Sequence, residues 1–225
     1  RIVGKGFSEL KGIDYHETFA PTVSMKGLMS LLHIAASEDW YIRSIDIGNA
    51  YLEADLDEPI YMELPPVPGE PRQVVKLLKS LYGLKQAGNL WNKRMNNILV
   101  NELGFQRIDS DPCIYKRNTN DIKFYLSTWV DDMLPMSNNL EVILEFEKDL
   151  LKHVKKITCK GDALGFLGLE FSRNRKERTI KVTQSNYIKD LVHSEGLDEA
   201  KIKRTPASTS VDLTKSERGT REPML

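Results

Sequence analysis

From residue 41 onward the spacing of apolar residues switches between a period of two and a period of 3.6 in a fixed order, and that order restricts the fold more than any single motif. Residues 41–47 (YIRSIDI) read as a strand that ends at Gly48-Asn49. A helix is predicted from about Ala87 to Glu102, with Trp91, Met95, Ile98 and Leu99 along one side and Gly104 as its stop. Residues 122–130 (IKFYLSTWV) and 133–137 (MLPMS) flank Asp131-Asp132 as a hairpin. Asn138 followed by Glu141 has the form of a capping box, ahead of an amphipathic helix carrying Leu140, Ile143, Leu144, Leu151 and Val154. Residues 165–172 (GFLGLEFS) close the series as a strand. Strand, helix, strand, strand, helix, strand is the βαββαβ order of a split, ferredoxin-like sheet with helices on one face. The fold class expected is therefore α+β.

One connection breaks the pattern. Between Ile47 and Ala87 lie 39 residues, 48–86, where such a loop ordinarily has ~2–6. The interval contains strand-like segments at 60–63 and 73–78, so it is expected to be an inserted subdomain. Upstream, residues 1–6 (RIVGKG) read as a short strand, and Ser24 caps a helix whose apolar face is Met25, Leu28, Met29, Leu32, Ala35 and Ala36. Downstream, residues 179–184 (TIKVTQ) form a strand after the basic turn Arg173 to Arg178. Ser185 then opens a short helix bearing Tyr187, Ile188, Leu191 and Val192, which Gly196 closes. Beyond residue 197 the chain is polar and reads as a linker to a further domain.

Composition removes several function classes. Of the 225 residues 40% are hydrophobic and 28% charged, enough for a real core and against disorder over most of the chain. The longest apolar stretch, from Leu28 to Ala36, is broken by Ser30 and His33 and falls short of the ~18 residues of a membrane span. Cys113 and Cys159 lie far apart, and His16, His33, His153 and His193 fall at no zinc spacing, which argues against a disulfide framework or structural zinc and for a reducing compartment. The chain opens with Arg1, without a Met start or signal peptide, and reads as a segment of a longer polypeptide. Its net charge of zero hides an asymmetry: 38–70 carries a net of −8, and 72–107 and 152–204 each carry +6. Such segregation suits a protein that meets phosphates on one surface and gathers cations at another; solvated faces of differing sign are the plainer alternative.

The candidate chemistry follows from topology. Two adjacent carboxylates at a hairpin tip are ordinarily turn chemistry. In a βαββαβ sheet, however, the hairpin of Asp131 and Asp132 lies beside the first strand, whose end carries Asp46 on the same side as Ile42 and Ser44. Three converging carboxylates repel one another unless divalent cations lie between them, and hard oxygen donors suit Mg²⁺. Two such ions ~4 Å apart can clamp an in-line phosphoryl displacement.

Longer motifs surround these residues. IDIGNAYLEADLDEPIYMELPP (45–66), KLLKSLYGLKQAGNLW (76–91), SDPCIYKR (110–117), WVDDML (129–134) and FLGLEF (166–171) closely resemble the reverse transcriptase of copia-type LTR retrotransposons. RIVGKGF (1–7), GIDYHETFAPTVSM (12–25) and QSNYIKDLV (184–192) extend the resemblance over about residues 1–195. It implies a right-hand polymerase palm with a fingers insertion and its later domains truncated: fingers at 1–20 and 54–86, palm at 21–53 and 87–178, the start of a thumb or connection at 179–196, and a polar linker at 197–225. It implies an RNA-directed DNA polymerase that adds dNTPs to a primer 3′-hydroxyl on an RNA or DNA template. Two Mg²⁺ ions would be the cofactors, with Mn²⁺ as a substitute. The setting would be the cytoplasm, in virus-like particles, or the nucleus, with no membrane partner.

Site residues carry over by the same resemblance. Asp46 and Asp131 would be the main metal ligands, Asp132 a less direct third, and the Ile47 carbonyl would complete one site. Tyr51 would be the aromatic gate against a ribose 2′-hydroxyl, with a core tyrosine under the sheet as the alternative. The amides of Asn49 and Ala50, the side chain of Arg1, and Tyr82-Gly83 would meet the nucleotide. Leu167-Gly168 and Trp129 would seat the primer end, and Lys85, Lys93 and Arg94 would line the nucleic-acid path. Trp129 stands where the family usually has Tyr or Phe, and Gly88 where many relatives have Pro. Pro135 falls in a strand that this topology makes central, where proline forfeits a ladder hydrogen bond. It leaves open a bulged strand or a decayed, noncatalytic nucleic-acid-binding remnant. A metal-dependent phosphohydrolase is a further rival, but it gives Tyr51, SLYGLKQ and the basic segments nothing to do.

Overall fold

The structure is a computed structural model describing residues 2–69, 71–119 and 121–201. It divides into two compact units, Arg1–Gln184 and Ser185–Leu225. In chain order the first contains α1 (Met25–Ser37), β1 (Tyr41–Ile47), β2 (Tyr61–Glu63), β3 (Val74–Lys76), α2 (Ala87–Asn97), β4 (Gln106–Ile108), β5 (Asp111–Lys116), β6 (Phe124–Trp129), β7 (Asp132–Ser137), α3 (Leu140–Leu150), β8 (Ile157–Asp162), β9 (Gly165–Phe166), β10 (Leu169–Asn174) and β11 (Thr179–Thr183). The second contains α4 (Ser185–Ser194).

The central sheet has six strands in the order β4-β5-β6-β7-β1-β8, all antiparallel. Its stretch β6-β7-β1-β8 is the expected βαββαβ sheet with one correction: the last strand is Ile157–Asp162, not 165–172. That edge strand exposes Thr158, Cys159 and Lys160 and carries almost no apolar pattern to read. Residues 165–172, expected as one strand, instead turn at Leu167-Gly168 (φ 55° and 75°) into two antiparallel strands, β9 and β10, which with β11 form a separate sheet β11-β10-β9. β4 and β5, absent from the sequence reading, extend the other edge; Asp111-Pro112 looks like a turn and instead begins β5. Within the 48–86 interval the expected strand segments form β2 and β3, which pair with each other.

The helices do not all share one face. Trp91 and Met95 of α2 and Ile143, Phe146 and Leu150 of α3 pack with Ile45, Ile47, Phe124, Leu126 and Met133. Leu28, Leu31, Leu32 and Ala35 of α1 pack with Ile42, Leu134 and Met136 on the opposite side, joined by Phe166, Leu169 and Phe171 of the small sheet. Strand alternation assigns the faces: odd positions of β1 look toward α2 and α3, where Arg43 pairs with Glu147 at 2.7 Å, and even positions, Asp46 among them, look the other way.

Both ends of α1 are fixed from a distance. The Ser24 hydroxyl accepts from the Gly27 amide at 3.0 Å, while Asp111 accepts from the amides of Ser24 (2.8 Å) and Cys113 (3.0 Å), tying the helix start to β5. At the other end Asp39 is left-handed (φ 56°) and the Trp40 amide reaches back to the Ala35 carbonyl at 2.8 Å. Arg173 donates to the carbonyls of Trp40 and Ala35 and to Asp39, Arg175 donates to Asp39 at 2.8 Å, and Arg178 donates to the Ser37 carbonyl at 2.9 Å. Three of the basic residues in the 152–204 segment thus clamp a helix C-terminus.

Smaller differences have local causes. α3 is capped by Asn139, whose side chain accepts from the Glu141 amide at 2.9 Å; Asn138 instead bonds Lys123 and Asp121 across the sheet. α2 continues through one π turn at Ile98–Glu102 before Gly104, as the stop predicts. Residues 2–6 form no strand; the amides of Gly4 and Gly6 bond the carbonyls of Tyr82 (2.7 Å) and Gly83 (3.1 Å). The approach is so close that a Cβ on Gly83 (φ 97°) would lie 2.1 Å from the Gly4 carbonyl. In the second unit, α4 ends with the Leu197 amide on the Val192 carbonyl at 2.9 Å and Gly196 at φ 66°, the predicted glycine stop. Its Tyr187, Ile188 and Leu191 are exposed. Of the polar linker read at 197–225, residues 202–225 lie outside the described residues.

Pro135 does stand in a central strand. It pairs with Leu126 of β6 in unbroken register, while the β1–β7 ladder pairs Tyr41, Ile42, Ile45 and Asp46 and skips Arg43 and Ser44. Replacing Pro135 by Val supplies the missing amide, and Tm should rise by roughly 2–4 °C, the equivalent of about 1 kcal/mol for a chain of this size. An unchanged or lower Tm in thermal denaturation would show that the gap belongs to Arg43 and not to the proline.

Candidate functional site

Register places the carboxylates. Trp129 of β6 pairs with Asp132 of β7, Asp132 with Asp46 of β1, and Asp46 with Thr158 of β8, so one row crosses four strands with two acids at its centre. Asp131 lies in the two-residue turn between β6 and β7, and its carbonyl accepts from the Ile47 amide at 2.8 Å, pinning the turn to the end of β1. The structure therefore brings Asp46, Asp131, Asp132 and the Ile47 backbone to one end of the sheet.

The electrostatics are those of a crowded anionic site. Burial pushes the Asp132 carboxyl above the usual range, the charges of Asp131 and Asp46 push it further, and Lys160 opposes them. Among the described residues no group of three His, Cys, Asp or Glu side chains stands in a closed ligating arrangement. The donor set, carboxylate oxygens with a backbone carbonyl beside them, fits a hard cation such as Mg²⁺.

Tyr51 stands beside this cluster. It belongs to a 3₁₀ turn, Ala50–Glu53, that begins at left-handed Asn49 (φ 57°), and Ala50 is buried. Its ring lies 4.6 Å from that of Tyr82, centroid to centroid, tilted by 43°. Burial raises the Tyr51 hydroxyl above its ordinary pKa, and the Asp131 charge and Tyr82 add to this. Tyr51 packs against the core only in part, so it is neither a free surface ring nor the fully buried core tyrosine of the alternative reading.

A cleft of about 360 Å³ opens beside Asp132. Asp132, Ser44, Lys160 and Asp162 line it together with Leu167 and Gly168, both left-handed (φ 55° and 75°). The predicted primer-end pair thus meets the predicted metal-site acid across one cavity. Lys160 and Ser44 were missed by sequence reasoning. The signal lay in the alternation of Thr158 and Lys160, which shows only once β8 is recognised as a strand.

The cations are more dispersed. Lys93 is exposed on α2. The Lys85 ammonium bonds the Glu9 carbonyl at 3.0 Å and lies 5.0 Å from the Tyr15 ring, and Arg94 donates to the His153 carbonyl at 3.1 Å. Arg72 pairs with Glu63 (3.0 Å) and Lys79 with Asp55 (2.5 Å). Charges segregated along the chain are thus in part reunited in space. Arg1 lies outside the described residues.

The family of reverse transcriptases (RNA-dependent DNA polymerases) matches residues 1–209. The chain belongs to this family. It is 35% identical over 219 residues to the retrovirus-related Pol polyprotein from transposon TNT 1-94 of Nicotiana tabacum, covering 96% of this chain and 16% of that protein. It is 32% identical over 217 residues to the Pol polyprotein from transposon RE2 of Arabidopsis thaliana, covering 95% and 15%. With the transposon Ty1-DR4 Gag-Pol polyprotein of Saccharomyces cerevisiae it shares 33% over 160 residues, covering 68% and 10%. This reverse transcriptase chain therefore spans about a sixth or less of these copia- and Ty1-type relatives.

The raised Asp132 carboxyl has a stability consequence. Its folded pKa lies above its unfolded value, so the fold gains from it below the unfolded value and loses that gain as pH rises through the folded one. At neutral pH without divalent metal, Asp132→Asn in this reverse transcriptase chain should raise Tm by roughly 1 °C or more, and the difference should vanish below about pH 4. Added Mg²⁺ should raise the Tm of the parent more than that of the variant. A lower Tm for the variant at neutral pH would mean that a cationic partner, not burial, governs Asp132.

Proposed function

We propose that this chain is the catalytic part of a retrotransposon reverse transcriptase, adding dNTPs to a primer 3′-hydroxyl on an RNA or DNA template. The observation that carries the reading is the pairing of Asp46 with Asp132 across β1 and β7, with Asp131 in the adjoining turn. Asp46, Asp131 and the Ile47 carbonyl would hold two Mg²⁺ ions, or Mn²⁺ in their place, with Asp132 a less direct third acid. Bound there, the ions would supply positive charge to the attacking primer oxygen and to the departing pyrophosphate.

The remaining groups act by position. Tyr51 would lie beneath the incoming sugar, where a ribose 2′-hydroxyl meets its ring, and Tyr82-Gly83 would flank the same nucleotide. The amides of Asn49 and Ala50, with Arg1, would meet the triphosphate. Leu167-Gly168 and Trp129 would seat the primer end across the cleft, and Lys93, with Lys85 and Arg94, would line the path of the duplex. In this reading 1–20 and 54–86 are fingers, 21–53 and 87–178 palm, 179–196 the start of a thumb, and 197–225 a linker. Among the described residues no helix is long and apolar enough to cross a membrane. The proposed setting is the cytoplasm, in virus-like particles, or the nucleus.

The strand pairing around Pro135 is compatible with this reading. The proline pairs with Leu126, and the ladder resumes at Ile45 and Met133 before it reaches the acids.

Primer extension with Mg²⁺ tests the proposal. Asp46→Asn and Asp131→Asn should each abolish incorporation, with Asp132→Asn less severe; near-normal extension by Asp131→Asn would remove the site assignment. Tyr51→Val should raise rNTP over dNTP incorporation tenfold or more, each tenfold being about 1.4 kcal/mol of transition-state discrimination. Unchanged sugar selectivity in a folded, active variant would return Tyr51 to the core.

A further inference from the structure

The turn that carries Asp131 is not one its own sequence favours. A two-residue hairpin turn with positive φ at its first central position selects glycine there. Here that position is Val130, at φ 51°, and a β-branched residue in the left-handed region is strained. Such a conformation persists only where its surroundings impose it.

Two bonds from outside hold the turn. One is the backbone bond from the Ile47 amide to the Asp131 carbonyl, 2.8 Å, which any sequence could make. The other is from a side chain: the Trp91 indole Nε1–H donates to the Val130 carbonyl at 2.6 Å. Trp91 is 2% exposed and lies within the core beneath α2, so its ring cannot swing away. The indole and the carbonyl border a cavity of about 40 Å³, shared with Tyr51, Gly88 and Thr128. It has room for water, so loss of the indole donor would leave the carbonyl to a loosely held solvent molecule.

We infer that Trp91 is a positioning residue, whose indole N–H holds Val130 in its strained conformation and thereby sets the Asp131 carboxylate against Asp46. This rests on the proposed polymerase reading for its purpose, though not for its geometry. Packing alone does not require it, because Phe at this position would fill most of the same space. What the indole adds is a donor directed at one carbonyl, next to one carboxylate. Groups that orient a ligand from behind commonly set metal affinity.

Metal binding by the 225-residue chain is the test. Trp91→Phe should weaken Mn²⁺ binding, measured by titration calorimetry, about tenfold. The same change should lower kcat for single-nucleotide addition more than it alters the dNTP KM. Adding Val130→Gly should recover most of the lost affinity, since glycine adopts the turn unaided. A measurement on the parent needs no core substitution. The chain has three tryptophans, and the indole N–H of Trp91 should shift in the NMR spectrum on Mg²⁺ addition. That of Trp40, bound to Glu38 at 2.9 Å, should stay still, and Asp131→Asn should abolish the Trp91 shift. Parent-like Mn²⁺ affinity in Trp91→Phe, failure of Val130→Gly to restore it, or a Trp91 resonance indifferent to Mg²⁺ would each overturn the inference. A parent chain that binds Mg²⁺ yet adds no nucleotide overturns only the polymerase reading, because affinity and resonance need the metal alone.

Discussion

Asp46 and Asp132 face each other across an antiparallel ladder, and like charges so placed repel. On an ordinary sheet this would favour a slip in register, which at one residue would turn Asp46 toward α2 and α3 and bury a charge among Ile45, Phe146 and Leu150. The fold prevents it by covering both faces of the central strands. β1 and β7 lie inside the sheet, α2 and α3 close one side, and α1 with the small sheet closes the other. With each alternate side chain committed to one of two cores, the acids keep their row.

The small sheet serves the same constraint. Its Arg173, Arg175 and Arg178 grip the C-terminal end of α1, and its Leu167-Gly168 end forms a wall of the cleft that contains Asp132. The strand β10, shared by two hairpins, is thus fastened at its far end to a helix packed on the central sheet, while the turn that leads into it walls the cleft beside Asp132. The charge of residues 152–204 looks from the sequence like a surface for phosphates. Arginines inside it act as internal fasteners, directed at the partial negative charge of a helix end.

Elements with strong periodicity were legible in the sequence: α1, β1, α2, the β6–β7 hairpin, and the amphipathic body of α3. The site acids were legible because topology alone sets the hairpin beside β1. What escaped were elements whose pattern is set by position in the sheet rather than by a core face. β8 is an edge strand with exposed Thr158, Cys159 and Lys160, and β5 begins with Asp111-Pro112, which reads as a turn. The roles of Asp111 and Trp91 escaped for another reason. Each contributes one directed hydrogen bond to a distant backbone group, and no spacing along the chain encodes such a bond.

Pro135 shows how a defect can lie close to a site without entering it. The skipped ladder positions Arg43 and Ser44, the irregular pairing of β1 with β8 between Arg43 and Ile45, and the Arg43–Glu147 ion pair all fall at one cross-section of the sheet. Strain introduced by the proline can be absorbed there, because β1 is already displaced and its side chain already held by α3. Position 135 shares the parity of Met133, which packs toward α2 and α3, whereas Asp132 and Asp46 look to the opposite side. Pairing resumes at Ile45 with Met133, one step before the acids. The proline therefore bears on how much stability the sheet has to spare, and the turn at Val130 on where Asp131 points.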